Sequence, residues 1–232
     1  MPIIDFHSHV LPGMDDGSSS SEMSLQMLQD AARQGVDIVV ATPHFYAGTT
    51  NPERFLRHRT ASLDKLFSLN AAGLPRLICG AEVAFFSGIG HADGLEYLFI
   101  EHTNLMLLEM PFDAWSGRDL KEVEMLVNRG IQPVIAHLER FYRFQKDKAI
   151  IPALLDMPVC VQINAGCLLN WRERRIPLQL FKNGQAHLLG SDCHNTDSRP
   201  QNLMQGRAVL QKKLGQAVLA DMDTFGSRLL QL

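Results

Sequence analysis

The chain has 232 residues, with 22 Lys+Arg against 25 Asp+Glu (formal net charge −3) and 46% apolar residues. That mild acidity argues against a nucleic-acid binder, which uses basic patches to displace counterions, and no apolar run reaches the ~18–20 residues that span a bilayer. Met1-Pro2-Ile3-Ile4-Asp5 does not read as a secretory leader and four cysteines make no disulfide framework, so one domain over residues 1–232 in a reducing cytoplasm is expected.

The first apolar strand candidate, Ile3–Phe6, ends in His7-Ser8-His9. Alternate strand residues point to one side, so both imidazoles can reach one ion. Asp15-Asp16-Gly17 follows as a turn; either aspartate suits turn chemistry, and Asp16 also qualifies as a metal ligand or proton donor. Ser19 with Glu22 reads as a capping box opening a helix that Gly35 closes. Asp37–Ala41 is the next strand and ends in Thr42-Pro43-His44. Asn51-Pro52 opens a second helix that runs towards Gly73.

Five more strand candidates share this behaviour. Arg76–Gly80 leads to Glu82, Asn104–Leu108 to Glu109, and Gln132–Ala136 to His137. Val159–Ile163 ends at Asn164, and His187–Gly190 at Ser191-Asp192-Cys193-His194. Buried parallel strands are apolar throughout, whereas these turn to His, Glu, Asp or Asn at the last residue or two. In an α/β barrel every strand C-terminus opens on one face, where catalytic groups gather. The expected fold is therefore an α/β barrel of seven parallel strands, preferred over an open doubly wound sheet, whose ligands sit mainly at a switch point.

A carboxylate at a buried strand end is costly unless it is paired or ligating. His7, His9, His44, Glu82, Glu109, His137, Asp192 and His194 are thus candidate metal ligands. Mixed imidazole and carboxylate suits Mn, Fe or Zn, and so many donors point to two or three ions and to hydrolysis. Arg140 and Arg199 lie three and five residues beyond His137 and His194. Their forked guanidiniums match phosphate oxygens, so an anionic phosphate ester is the expected substrate class. Cys193-x5-Arg199 has the spacing of a cysteine-dependent phosphatase, but its loop holds Asp197 and no glycine, so Cys193 is read as a small buried residue. Gly88-x-Gly90-x-x-x-Gly94 is out of register for a dinucleotide loop. His58, His91, His102 and His187 are read as structural or surface residues.

The segments DFHSHVLPGMDDG (5–17), GVDIVVATPH (35–44), GAEV (80–83), LLEMPF (107–112), PVIAHLERF (133–141), QINAG (162–166) and GSDCHNTDSRP (190–200) resemble the polymerase and histidinol phosphatase (PHP) superfamily. Within it, the chain is similar to the tyrosine-protein phosphatases of bacterial capsular and exopolysaccharide operons. The resemblance implies a distorted seven-stranded TIM-like (β/α)7 barrel with a trinuclear, usually manganese-dependent centre. It implies His7, His9, Glu82 and Asp192 on one metal, Glu82, Glu109 and His137 on the second, and Asp16, His44 and His194 on the third. Arg140 and Arg199 would bind phosphate. The implied substrate is the phosphotyrosine tail of a tyrosine autokinase controlling polysaccharide export. A metal-bridging hydroxide would attack phosphorus in line, with Asp16 as proton donor to the phenolate. Competing readings are a PHP phosphoesterase acting on histidinol phosphate or another small ester, a metal-dependent amidohydrolase, and a non-catalytic metal-binding protein of the same fold.

Overall fold

The computed structural model describes residues 1–232. Nine strand segments alternate with helices: β1 (Ile4–Ser8), α1 (Ser21–Arg33), β2 (Ile38–Ala41), β3 (His44–Phe45), α2 (Pro52–Phe67), β4 (Arg76–Cys79), β5 (Glu82–Ala84), β6 (Leu105–Glu109), α3 (Gly117–Asn128), β7 (Gln132–Ile135), α4 (Ile150–Leu155), β8 (Cys160–Asn164), α5 (Ala165–Leu169), α6 (Arg175–Lys182), β9 (Leu188–Gly190), α7 (Leu203–Leu214) and α8 (Gln216–Leu229). Every strand pair is parallel, in the orders β1-β2-β4 and β3-β5-β6-β7-β8-β9.

Two of the expected strands are interrupted. β2 pairs with β4 from Ile38 opposite Arg76, and β3 pairs with β5 from His44 opposite Glu82, at the same residue offset. Each pair is therefore one strand pair broken midway, at Thr42-Pro43 and Gly80-Ala81. Pro43 has no N–H to give the ladder, though its carbonyl still accepts from the Glu82 N–H at 3.0 Å. The two sheets meet where Ser8 bridges Cys193. There the His9 N–H donates to Cys193 O and the Asp192 N–H to His7 O, both at 2.8 Å. The result is a curled parallel sheet, the barrel-like α/β architecture expected from the strand ends.

Local sequence accounts for the helix boundaries, with two corrections. The N-cap of α1 is Ser20, whose hydroxyl accepts from the Met23 N–H at 3.2 Å, so the expected Ser19–Glu22 box lies one residue out. Gly35 ends that helix in the left-handed region, with φ +81°. Asn51 caps α2 through the Arg54 N–H at 2.9 Å, but the helix stops at Phe67, short of Gly73.

The apolar interior explains where the polar residues fall. A cluster of thirteen buried residues takes Ile4 and Phe6 from β1, Ile38 and Val40 from β2, Ile78 from β4, Leu105 and Leu107 from β6, Val134 from β7, Cys160 from β8 and Leu188 from β9. These are alternate residues, one inward-facing row from every strand line. Helix α8 adds Leu230 just beyond its end and places Gly226 against Phe6 and Leu188, closing the end where the strands begin. Continued by twos, the same inward row reads His44, Glu82, Glu109, Gln162 with Asn164, and Gly190 with Asp192. The polar site is thus the upper storey of an apolar barrel interior.

Two strands reach it by breaking the alternation. In β1 the register shifts between Asp5 and Ser8, one extra residue against β2, and this bulge turns His7 and His9 inward after Ile4 and Phe6. His137 follows the inward Ala136 and takes φ +31°, in the left-handed region.

Candidate metal centre

Eight of the nine proposed donors converge in a buried cluster, and the ninth, Asp16, sits at its mouth. His7 Nε2 lies 3.1 Å from His9 Nε2 and 3.1 Å from Glu82 Oε2. Asp192 Oδ1 is 3.6 and 3.5 Å from the same two nitrogens. Beside this group, His137 Nε2 is 2.8 Å from Glu82 Oε1 and 3.4 Å from Glu109 Oε1. Nearest the opening, Asp16 Oδ1 lies 3.4 Å from His194 Nε2 and 3.7 Å from His44 Nε2. Three sets have donor atoms all within 4.8 Å of one another: His7, His9 and Glu82; His9, Asp16, His44 and His194; and His44, Glu82 and Glu109.

Whether the cluster suits a cation is decided by where the imidazole protons sit. The His137 N–H donates to Gln162 Oε1 at 2.9 Å, which fixes that amide's orientation, and the same oxygen accepts from His7 Nδ1 at 3.1 Å. Asp15 Oδ2 accepts from His9 Nδ1 at 2.7 Å, and the Asp192 carbonyl accepts from His194 Nδ1 at 3.0 Å. In all three rings Nδ1 is hydrogen-bonded to an acceptor outside the donor cluster, which leaves Nε2 facing the cluster as the atom that would ligate. His194 Nε2 is buried and has no hydrogen-bond partner, and His44 Nδ1 lies 3.0 Å from Glu82 Oε2. A buried unpartnered nitrogen beside buried carboxylates matches the demands of a divalent cation.

Against burial, which lowers them, neighbouring carboxylates raise His9 well above its usual value, His44 above it and His137 to about 9, so these rings hold protons that a cation would displace. Burial pushes Glu82 up, but the charge of His7 and hydrogen bonds from His137, His44 and His7 outweigh it and hold the carboxyl well below the usual range. Asp192 is likewise held well below its usual value: burial is outweighed by His7, His9 and Arg140. Burial lowers His194 to about 4, helped by the nearby charge of His9, leaving its imidazole neutral. Both carboxylates are thus charged and His194 is a neutral donor at neutral pH, the states in which each ligates.

Asp192 couples this cluster to the arginines. Its Oδ2 accepts from Arg140 Nη2, Arg199 Nη2 and Asn164 Nδ2, each at 2.8 Å. Asn164 in turn accepts from Gln162 at 2.9 Å, so a chain of amides joins Asp192 to His7. Arg199 Nη1 also lies 3.8 Å from Asp16. Both guanidiniums remain 37% exposed, so their outer N–H groups can meet an anion arriving from solvent.

Asp16 itself is 66% exposed and stands free at the opening. Its neighbour Asp15 does the positioning: it accepts from His9, from the His44 N–H at 2.8 Å and from the Gly17 N–H at 2.9 Å. Sequence reasoning left Asp15 as a turn residue and passed over Gln162. The signal for Gln162 was present in Gln162-x-Asn164, two amides on the inward row of an apolar strand. No comparable signal singles out Asp15, because a turn aspartate is common whatever it binds.

The rejected candidates take no part in the cluster. Cys193 is buried, and burial with Asp5 nearby pushes its thiol up to about 12, so it is no thiolate nucleophile. His187 Nδ1 accepts from the Val161 N–H at 3.0 Å, while His58, His91 and His102 are exposed.

A family model described as "Capsular polysaccharide synthesis, CpsB/CapC" matches residues 3–225. The tyrosine-protein phosphatase YwqE of Bacillus subtilis is 28% identical over 92% of this chain and 85% of its own length. The tyrosine-protein phosphatase CpsB of Streptococcus agalactiae is 27% identical over 92% and 91%. A crystal structure from work on YwqE of Bacillus subtilis and CpsB of Streptococcus pneumoniae, described as unique metal-dependent tyrosine phosphatases, superposes with a TM-score of 0.86. It is 26% identical and the match covers 99% of this chain and 94% of that one.

Proposed function

The chain belongs to the CpsB/CapC family of capsular polysaccharide synthesis, and from that membership and its site geometry we propose that it is a metal-dependent protein-tyrosine phosphatase. The observation that carries this reading is Asp192, one carboxylate whose Oδ1 faces His7 and His9 and whose Oδ2 holds Arg140 and Arg199. A phosphate held by that arginine pair would rest directly against the donor cluster.

His7, His9, Glu82 and Asp192 are assigned to one ion, Glu82, Glu109 and His137 to a second, and Asp16, His44 and His194 to a third. Manganese suits this hard-to-borderline donor set, as do iron and zinc. When bound, the ions supply Lewis acidity and a nucleophile generated from water at neutral pH. Arg140 and Arg199 clamp the phosphate and stabilise charge on its equatorial oxygens. Asp16, exposed at the opening, is assigned two alternative roles: as a carboxylate it serves the third ion, and only in its protonated form does it give a proton to the departing oxygen. A phenol, with a pKa of ~10, leaves more readily than an alkanol and demands less of that proton.

Two exposed aromatic rings favour an aryl ester over a small alkyl phosphate. Phe112 stacks on His137 with centroids 5.9 Å apart, and Tyr46 stacks on His44 at 5.2 Å. Both are nearly half exposed, offering apolar faces beside the cluster to a phosphotyrosine ring. The substrate is assigned to the tail of a bacterial tyrosine autokinase, in the cytoplasm; no helix is long and apolar enough to cross a membrane.

The test compares turnover of a phosphotyrosine peptide with that of alkyl phosphates, at matched metal and with chelator. Phosphotyrosine is expected to be preferred, chelation to abolish turnover, and Cys193→Ser to retain most of it. Preference for a small alkyl phosphate, or metal binding without hydrolysis of any aryl phosphate, overturns the reading.

A further inference from the structure

A cavity of about 1040 Å³ opens from the Asp192 end of the metal centre. Arg140 and Arg199 stand at its inner end, and Arg143, Arg172 and Arg175 continue the lining outward. The inner pair already has a counter-charge in Asp192. The outer three are exposed, and none of their guanidiniums has a hydrogen-bond or ion-pair partner in the protein. Arg143 rests over the Phe144 ring at 4.7 Å and Arg172 over Trp171 at 5.1 Å, so two of them are braced against aromatic faces.

Neither Glu139 nor Glu173 in the lining forms an ion pair with them. Glu139 Oε1 accepts from the Asn164 N–H at 3.2 Å, and Glu173 from Asn170 Nδ2 at 2.8 Å. With five arginines against three acidic residues in the lining, on a chain of net charge −3, the three unpaired cations leave a local positive field continuous with the phosphate clamp. A lone phosphate ester needs only the inner pair.

We infer that Arg143, Arg172 and Arg175 form a second anion subsite, which takes acidic groups flanking the reacting phosphotyrosine on the same polypeptide. This rests on the reading that a phosphotyrosine protein is the substrate, and it adds what that protein must look like. The flanking group is either a run of carboxylates or another phosphotyrosine; both offer oxygens to guanidinium forks.

Three peptides separate these sources: one phosphotyrosine among neutral residues, one flanked by glutamates, and one with a second phosphotyrosine. The wild-type protein and the triple variant Arg143→Gln, Arg172→Gln, Arg175→Gln are assayed on each. The wild type is expected to favour an acidic peptide by about tenfold in kcat/KM, mostly through KM, and less at high salt. The variant should lose that preference while keeping its turnover of the neutral peptide. Whichever acidic peptide shows the larger loss identifies the flanking group. Equal wild-type efficiency on all three peptides, or a preference that survives in the variant, overturns the subsite. Anisotropy of the same peptides, labelled and unphosphorylated at the reacting tyrosine, reads docking apart from catalysis. Salt-sensitive binding of acidic peptides without hydrolysis would overturn the phosphatase reading alone.

Discussion

Asp15 does no chemistry of its own, yet it decides which nitrogen of His9 faces the cluster. Its Oδ2 accepts from His9 Nδ1 at 2.7 Å, and the carboxylate also ties down the His44 and Gly17 amides. Partners of this kind set a ligand's tautomer and basicity, and losing one weakens metal affinity about 10–100-fold. Asp15→Asn, with its amide oxygen in the Oδ2 place, still accepts from His9 and the His44 N–H but turns its NH2 to the Gly17 N–H and removes the charge, so the expected outcome is a folded protein that holds metal at least about tenfold more weakly. Titration of the metal-free variant, with circular dichroism alongside, checks this; affinity equal to wild type would remove the assigned role. At this scale residue type was legible and partnership was not. His7-x-His9 and Asp192-x-His194 announce ligands because imidazoles and carboxylates at apolar strand ends need a reason to be there. Asp15 gives no such signal, since a turn aspartate is common whatever it binds.

Among the elements, β1 and β9 lead into four of the nine donors, His7, His9, Asp192 and His194, and sit edge to edge. Gly190 makes that approach possible: a Cβ there would come within 2.5 Å of the His7 Cβ and 2.8 Å of Gln162 Nε2. Gly190→Ala must therefore push His7 and its orienting amide aside. Overpacking of this type costs about 1–3 kcal/mol. The variant should unfold some degrees lower in a thermal melt and lose activity out of proportion to that drop; wild-type activity would show that His7 tolerates displacement. The expected strands were legible as apolar runs, including the ends at Ala41 and Gly80, but the return to pairing at His44 opposite Glu82 was not. Segments of two and three residues are too short to show a pattern of their own. The bulge in β1 was equally hidden, because it is defined by the partner strand's register and not by any residue of its own. Its effect is large: without the extra residue, His7 would follow Asp5 to the side away from Ile4 and Phe6.

For the molecule as a whole, the barrel concentrates charge that the composition averages away. Buried Glu82 and Asp192 and five inward histidines lie on an apolar interior, a costly arrangement when no cation compensates it. Metal binding should stabilise the fold. Ligand at a hundredfold excess over Kd adds ~2.7 kcal/mol per site, and for a chain of this size each kcal/mol moves the midpoint by ~2–4 °C. Metal-free protein is thus expected to melt roughly 5–10 °C or more below the manganese-loaded form, as scanning calorimetry with and without chelator would measure. Identical melting curves would count against a structural contribution from the ions.

The sequence alone determined the donor types, the parallel α/β class and the arginine pair, because each follows from local rules: apolar runs, strand-end chemistry and spacing along the chain. Only the tertiary structure decided which nitrogens face inward, that one carboxylate of Asp192 joins ligands to phosphate clamp, and that Arg143, Arg172 and Arg175 share its cavity. These depend on residues brought together from opposite ends of the chain by strand register and barrel closure. Side-chain chemistry is written in the residue, but proximity is set by the fold.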